Sequence, residues 1–210
     1  MIAVIDYKAG NAPSVMHAIK RLGLAAQLAR TSTDLEDASH IILPGVGSAA
    51  ATMKSLAEQD LLPQLTQSVR KDKVPFLGIC VGLQVLFEHS EEGEVDCLAW
   101  LPGRIARFDS SEVRVPQMGW NEVNFVKETP VKATSQYFYF VNSYYAEVAD
   151  QSDLWGTANY GAPFTAAVNR DNIYGTQFHV EKSGEAGLAL LNNFLNLPSP
   201  SPLLEESAGK

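Results

Sequence analysis

Thiols and imidazoles are scarce in this chain: its 210 residues hold two cysteines, Cys80 and Cys97, and four histidines. The cysteines form no Cys-x-x-Cys pair, so the common zinc and dithiol redox spacings are missing, and no metal or cofactor is expected. No apolar run approaches the ~20 residues that cross a membrane. Lys and Arg nowhere gather into a run or stripe, and 16 of them against 24 Asp and Glu leave a net charge of −8. That balance argues against a nucleic-acid partner. A targeting segment is lacking too, because the chain enters directly into Ile2-Ala-Val-Ile-Asp6, a buried-strand pattern. Free thiols without a leader point to a reducing, cytoplasmic setting. With 46% apolar and 19% charged residues, the remainder reads as one soluble globular domain with ample core.

Up to about residue 90, short apolar runs alternate with amphipathic stretches. Strands are expected at 2–6, 25–29, 41–43 and 75–79, and helices at 13–22, within 48–71, and at 82–89. This is the pattern of an α/β fold, a three-layer, flavodoxin-like parallel or mixed sheet flanked by helices. From Cys97 to His179 the texture becomes β-rich, with expected strands at 104–108, 121–126 and 137–148 and a hairpin pairing 164–168 with 173–178. A last helix over 184–195 turns Ala186, Leu190, Leu191 and Phe194 toward the core. Residues 1–196 are expected to be one domain, and the Pro/Ser-rich 197–210 a loose tail.

The stretch Val74-Pro-Phe-Leu-Gly-Ile-Cys-Val-Gly82 carries the chemistry. A strand meets a Gly-x-Cys-x-Gly turn and then a helix start, the cysteine counterpart of the nucleophile elbow of Gly-x-Ser-x-Gly hydrolases. Gly78 and Gly82 let the turn tighten, and the helix head beyond Cys80 favours thiolate over thiol. The competing reading, a small buried hydrophobe, fits most free cysteines. A base decides between them. His17 lies in an amphipathic stretch, His40 at a loop-to-strand boundary, and His89 among glutamates facing water. His179 ends the run Ile173–Phe178, with Glu181 two residues on. In extended chain such residues share a face about 6.6 Å apart, so Glu181 is placed to hold the imidazole as the third member of a triad does.

A second turn, Gly45-Val46-Gly47, follows the third expected strand. Its Gly-x-Gly-x-x-Ala also matches a dinucleotide fingerprint, but it follows the wrong strand and no carboxylate ends the next one. The better reading is a backbone loop offering N–H groups to an anion near Cys80.

These residues resemble the class I, triad-type glutamine amidotransferases. The elbow Leu77-Gly-Ile-Cys-Val-Gly-Leu-Gln84 and Gly175-Thr-Gln-Phe-His-Val-Glu-Lys-Ser183 are superfamily features. The segments Asp6-Tyr-Lys-Ala-Gly-Asn11 and Leu43-Pro-Gly-Val-Gly47 also belong to the resemblance, and Pro116-Gln-Met-Gly-Trp-Asn121 and Tyr139-Phe-Val-Asn-Ser-Tyr-Tyr145 single out the glutaminase subunits of imidazole glycerol phosphate synthase. The resemblance implies hydrolysis of glutamine to glutamate and ammonia by Cys80, His179 and Glu181. It implies backbone oxyanion donors at Val81 and Val46, and glutamine holders at Gln84, Glu92, Ser143 and Tyr144. It also implies a heterodimer with a (β/α)8-barrel cyclase that consumes the ammonia in histidine biosynthesis, with Trp120, Asn142 and Lys182 facing that partner. For these three, a core aromatic, a turn residue and a surface lysine are the plainer readings, and for Glu92 simple solvent exposure. Three residues depart from the usual pattern: Lys8 in place of a glycine, Val180 in place of a proline, and Asn142 in place of a histidine. The residues also admit a different class I subunit, a Cys hydrolase of γ-glutamyl substrates, a non-catalytic partner-binding module, or a redox-sensing thiol.

Overall fold

Apolar runs with no polar position to give to water become the centre of a sheet. In the computed structural model, which describes residues 1–8 and 11–200, β1 (Ile2–Ile5), β3 (His40–Gly45) and β4 (Phe76–Cys80) are buried at every position. That is the signature of parallel strands covered on both faces. With β2 (Ala26–Ala29) they pair in parallel in the order β2-β1-β3-β4. The crossovers are α1 (Ala12–Arg21), α2 (Ala49–Glu58) and α3 (Leu62–Thr66), the last running into a π-helical turn over Gln67–Lys71. On α1, Val15, Ala18 and Ile19 face the core while His17 is exposed, as the amphipathic pattern requires.

The helix expected over 82–89 is cut short. The structure has α4 only over Val81–Gln84. Val85, Leu86 and Phe87 are fully buried, and their carbonyls take tertiary partners instead of helical ones. Val85 O accepts from Leu98 N at 2.9 Å, Leu86 O from Trp100 N at 2.8 Å and Phe87 O from Ala99 N at 2.9 Å. Pairing with the following segment thus outcompetes helix propagation, and a four-residue helix supplies little of the dipole expected behind Cys80.

The second half is β-rich as expected. It comprises β5 (His89–Ser90), β6 (Val95–Asp96), β7 (Gly103–Arg107), β8 (Gln117–Phe125), β9 (Tyr137–Asn142), β10 (Tyr144–Val148), β11 (Leu154–Tyr160), β12 (Ala162–Arg170) and β13 (Ile173–Thr176). The main sheet runs β2-β1-β3-β4-β13-β12-β10-β7-β5-β6. The expected hairpin forms as β12–β13, with Val168 opposite Gly175. Its second strand enters the middle of the sheet, parallel to β4, with Gly175 beside Gly78. The run expected as one strand over 137–148 breaks at Ser143. Before the break β9 pairs with β8 in a two-stranded ribbon, and after it β10 pairs with β7 and β12. β11 joins the ribbon to the main sheet, pairing with both β8 and β12.

The last helix, α5 (Gly184–Leu195), buries Leu190, Leu191 and Phe194, with Ala186 partly covered. Leu197, where the tail was expected to begin, is still attached: its carbonyl lies 3.1 Å from His40 Nε2. Residues 201–210 lie outside the described residues. No helix among the described residues is long and apolar enough to cross a membrane. The architecture is the three-layer α/β fold with a mixed sheet that the sequence predicts.

Candidate active site

At the C-terminal end of β4 the chain turns with Cys80 at φ 55° and ψ −108°. A non-glycine residue in such a conformation costs ~1–3 kcal/mol and persists only where its surroundings impose it. Here they do, by leaving no space. A Cβ on Gly45 would stand 2.5 Å from Gly82 N, one on Gly78 would collide with the Gly82 carbonyl, and one on Gly82 with the Leu43 carbonyl. Three glycines from β3, β4 and α4 therefore interlock around the turn. The tightening expected at Gly78 and Gly82 is real, with Gly45 as an unexpected third member.

His179 reaches the same end of the sheet, but not as the end of a strand. β13 stops at Thr176, and His179 precedes a 3-10 turn over Val180–Lys182. The His179–Glu181 pairing therefore comes from a tight turn rather than from extended chain. Val180, standing where a proline is usual, opens that turn without difficulty and is itself buried. His179 Nδ1 bonds Glu181 Oε1 at 2.8 Å, with both side chains almost wholly buried. The carboxylate fixes Nδ1 as the protonated nitrogen and leaves Nε2 for the thiol. Burial alone would lower the His179 pKa, but hydrogen bonds and charge from Cys80 and Glu181 outweigh it and raise it to about 9. Burial pushes the Glu181 carboxyl up, and His179 and Asn11 more than reverse this, so it stays below its ordinary value.

Four residues escaped sequence reasoning. Asn11 Nδ2 donates to Glu181 Oε1 at 3.2 Å, and Ser14 Oγ donates to Asn11 Oδ1 at 2.8 Å, extending the relay behind the histidine. Ser183 Oγ accepts from Tyr139 N at 2.9 Å and donates to His179 O at 2.6 Å, while His179 N donates to Tyr139 O at 2.9 Å. The backbone of β9 is thereby clamped to the base. Gln177, fully buried, donates from Nε2 to Cys80 Sγ at 3.6 Å and accepts from Gln84 Nε2 at 3.1 Å. The available signal was a glutamine inside an apolar run, since buried polar groups need partners.

A cavity of about 260 Å3 opens over Cys80 and His179. Its walls include Val46, Val81, Gln84, Glu92, Ser143 and Tyr144, so the expected oxyanion and substrate residues converge. Gly47, at φ 91°, shapes the Val46 loop. Gln84 uses both amide hydrogens, on Gln177 and on Tyr144 O at 3.1 Å, and its buried Oε1 has no partner among the described residues. Glu92 is half-buried rather than free in water, and its Oε2 accepts from Ala49 N at 3.1 Å at the head of α2. Burial raises its carboxyl pKa, and the Ala49 bond opposes the rise.

The three residues expected to face a partner separate. Trp120 is 57% exposed on β8, Lys182 is exposed at the cavity rim, and Asn142 is buried, its Nδ2 bonded to Tyr144 O at 2.9 Å. Lys8, noted in place of a glycine, takes a left-handed conformation, at φ 68°. His40 and His89 lie elsewhere, paired with Leu197 O and with Asp96. No cluster of metal-ligating side chains occurs among the described residues.

A thiol, an imidazole and a carboxylate so arranged beside a small cavity can open a carboxamide through an acyl intermediate. Comparison with known proteins agrees with that chemistry. The family model described as "Glutamine amidotransferase class-I" matches residues 3–197. The imidazole glycerol phosphate synthase subunit HisH of Leptospira borgpetersenii is 43% identical over 204 residues, covering 94% of this chain and 100% of that protein. The chloroplastic imidazole glycerol phosphate synthase hisHF of Arabidopsis thaliana is 39% identical over 218 residues, covering 100% of this chain and 37% of that protein. A crystal structure of a glutamine amidotransferase superposes with a TM-score of 0.74 at 19% identity, over 92% of this chain and 96% of that one, a likeness of fold. By sequence and architecture together, the chain belongs to the class-I glutamine amidotransferase family.

Proposed function

We propose that the chain is the glutaminase subunit of an imidazole glycerol phosphate synthase, a cytoplasmic enzyme that hydrolyses glutamine at Cys80 and hands the ammonia to a cyclase subunit. The observation that carries the reaction is the cavity whose walls include Cys80, His179 and Gln84. Gln84, on the cavity wall, is assigned to hold the substrate glutamine. The Cys80 sulfur attacks the side-chain carboxamide while His179 Nε2 holds the thiol proton, which it then delivers to the departing ammonia. Glu181 keeps the ring oriented and stabilises the imidazolium. Water opens the thioester and releases glutamate.

The oxyanion needs backbone donors, for which Val81 and Val46 are the candidates. Burial raises the Tyr7 hydroxyl pKa, and bonding from Thr52 and the Val46 backbone partly offsets the rise.

Ammonia freed into water at neutral pH becomes mostly ammonium and loses its nucleophilicity, so it has to pass directly to an acceptor site. On the outer face of the β8–β9 ribbon, Met118 is 66%, Trp120 57% and Tyr137 56% exposed. Large apolar side chains left together in water mark an interaction surface. We assign this face, with Lys182 at the cavity rim, to the cyclase, and expect the cyclase to be a (β/α)8 barrel. The Arabidopsis relative, in which a region like this chain fills 37% of the length, fits a pairing made covalent. Residues beyond Leu197 are assigned to a tail that takes no part in the chemistry.

The test is glutamate release from glutamine by the chain alone and then with a cyclase carrying its ribulosyl ligand. Strong stimulation by the loaded partner is expected. His179→Asn should abolish glutamine-dependent synthesis while synthesis from added ammonium salts persists, and Glu181→Gln should lose less than His179→Asn. Loss of both syntheses together would overturn the division of labour.

A further inference from the structure

Hydrogen-bond directions beneath the cavity run in one sense only. Tyr144 contributes a main-chain carbonyl, which can only accept, so Gln84 must turn its NH2 toward it. The second hydrogen of that NH2 is bonded to Gln177 Oε1 at 3.1 Å. Gln177 is therefore fixed with its oxygen toward Gln84 and its own NH2 toward Cys80 Sγ, 3.6 Å away. Neither amide can flip without setting two donors, or two acceptors, against each other inside the protein. Gln177 is 0% and Gln84 3% exposed, so water does not relieve such a mismatch, and a buried unmet polar group costs ~1–3 kcal/mol.

We infer that Gln177 is a positioning residue with two duties: it gives the Cys80 sulfur an N–H donor and locks the amide of Gln84, a wall of the cavity, in a single orientation. This rests on the glutaminase reading for the identity of the substrate, though not for the effect on the thiol. The sulfur has two opposed neighbours. Val141 O, 3.8 Å away, can only accept and so favours the protonated thiol. Gln177 Nε2 can only donate and so favours the thiolate, which is the form that attacks. The donor lies on the buried side, where neither substrate nor partner competes for it. When the sulfur becomes a thioester the donor loses its anion, so its contribution is spent before the acyl intermediate forms.

The two duties separate by substitution. Gln177→Leu removes both contacts, whereas Gln177→Glu keeps an oxygen for Gln84 but sets a carboxylate beside the sulfur. The measurement is alkylation of Cys80 by iodoacetamide as a function of pH, in a Cys97→Ala background so that one thiol reacts. It is paired with kcat and KM for glutamine in the loaded synthase complex. Both variants are expected to alkylate about tenfold more slowly at pH 7, the size of one charge-assisted hydrogen bond, and to shift the profile to higher pH. In the complex, Gln177→Leu should also raise KM, whereas Gln177→Glu should lower kcat with KM nearly unchanged. Gln177→Met, with the volume kept and the donor lost, should follow Gln177→Leu if that variant fails to fold.

Folded variants with an unshifted alkylation profile would overturn the inference, even if turnover fell, because a packing defect alone would then account for the loss. If the wild-type complex releases no glutamate, the glutaminase reading fails while the alkylation profile still decides the contact with sulfur.

Discussion

The two walls of the cavity are built on opposite plans. The elbow wall, from β3, β4 and α4, is held by exclusion: Gly45, Gly78 and Gly82 meet backbone to backbone, and no side chain fits between them. The opposite wall, the β8–β9 ribbon with the 179–183 turn, is held by hydrogen bonds through Ser183, and its outer face is left to solvent. Steric interlock gives the nucleophile one pose. A hydrogen-bonded ribbon with an unburied face can answer to whatever docks on it. The contrast sets a sterically locked turn against a hydrogen-bonded ribbon with an exposed outer face.

That contrast breaks most severely at Gly82. Gly82→Ala forces the Leu43 carbonyl to move, and the loss should reach several kcal/mol, in the range of overpacked cores and strained backbones. Urea unfolding should find little native protein at 25 °C, whereas a near-wild-type midpoint would mean the elbow can give. On the ribbon wall, Trp120→Ser should cost about 2 kcal/mol of cyclase affinity, as exposed tryptophan anchors do, yet leave stability and turnover at saturating cyclase almost unchanged. Titration calorimetry against the cyclase separates these outcomes. Ser183→Ala lies between the walls. It leaves the Tyr139 N–H and one bond to His179 O unmet, so glutamine-dependent synthesis should fall about tenfold, with ammonium-dependent synthesis intact.

The smallest effect is one of pH. The pKa of His179 is raised in the folded protein to about 9. The stability its proton confers is therefore full below about 6.5, the unfolded value, and is lost as pH rises through about 9. The difference in urea midpoint between wild type and His179→Asn should accordingly shrink between pH 6 and pH 9.5. A constant difference would mean that the imidazolium is not what the pocket holds.

Much of this was legible in the sequence wherever local pattern and tertiary demand agreed. The buried strands, α5 and the β12–β13 hairpin follow their apolar periodicity, and the Gly-x-Cys-x-Gly turn and His179-x-Glu181 mark residues that the fold brings together. The misreadings share a cause. The helix after Gln84 stops because Leu98, Ala99 and Trp100 claim its carbonyls, and β9 parts from β10 because each has a different neighbour. Such outcomes are decided by chain that arrives later in the sequence, which no local window contains. Gln177, Asn11 and Ser183 were missed for a related reason: each looks ordinary until the residue it bonds is brought alongside.

The insertion of β13 between β4 and β12 has a consequence in time. The strand that leads into His179 fills the middle of the sheet, and its partner β4 lies about a hundred residues earlier in the sequence. Closing so long a loop is entropically slow, and non-local strand pairing is what delays β-rich folds. During synthesis Cys80 is therefore made well before any base can reach it. On the proposed assignment, Cys80 and His179 come together only once β13 has paired with β4, so a half-made chain lacks the pair.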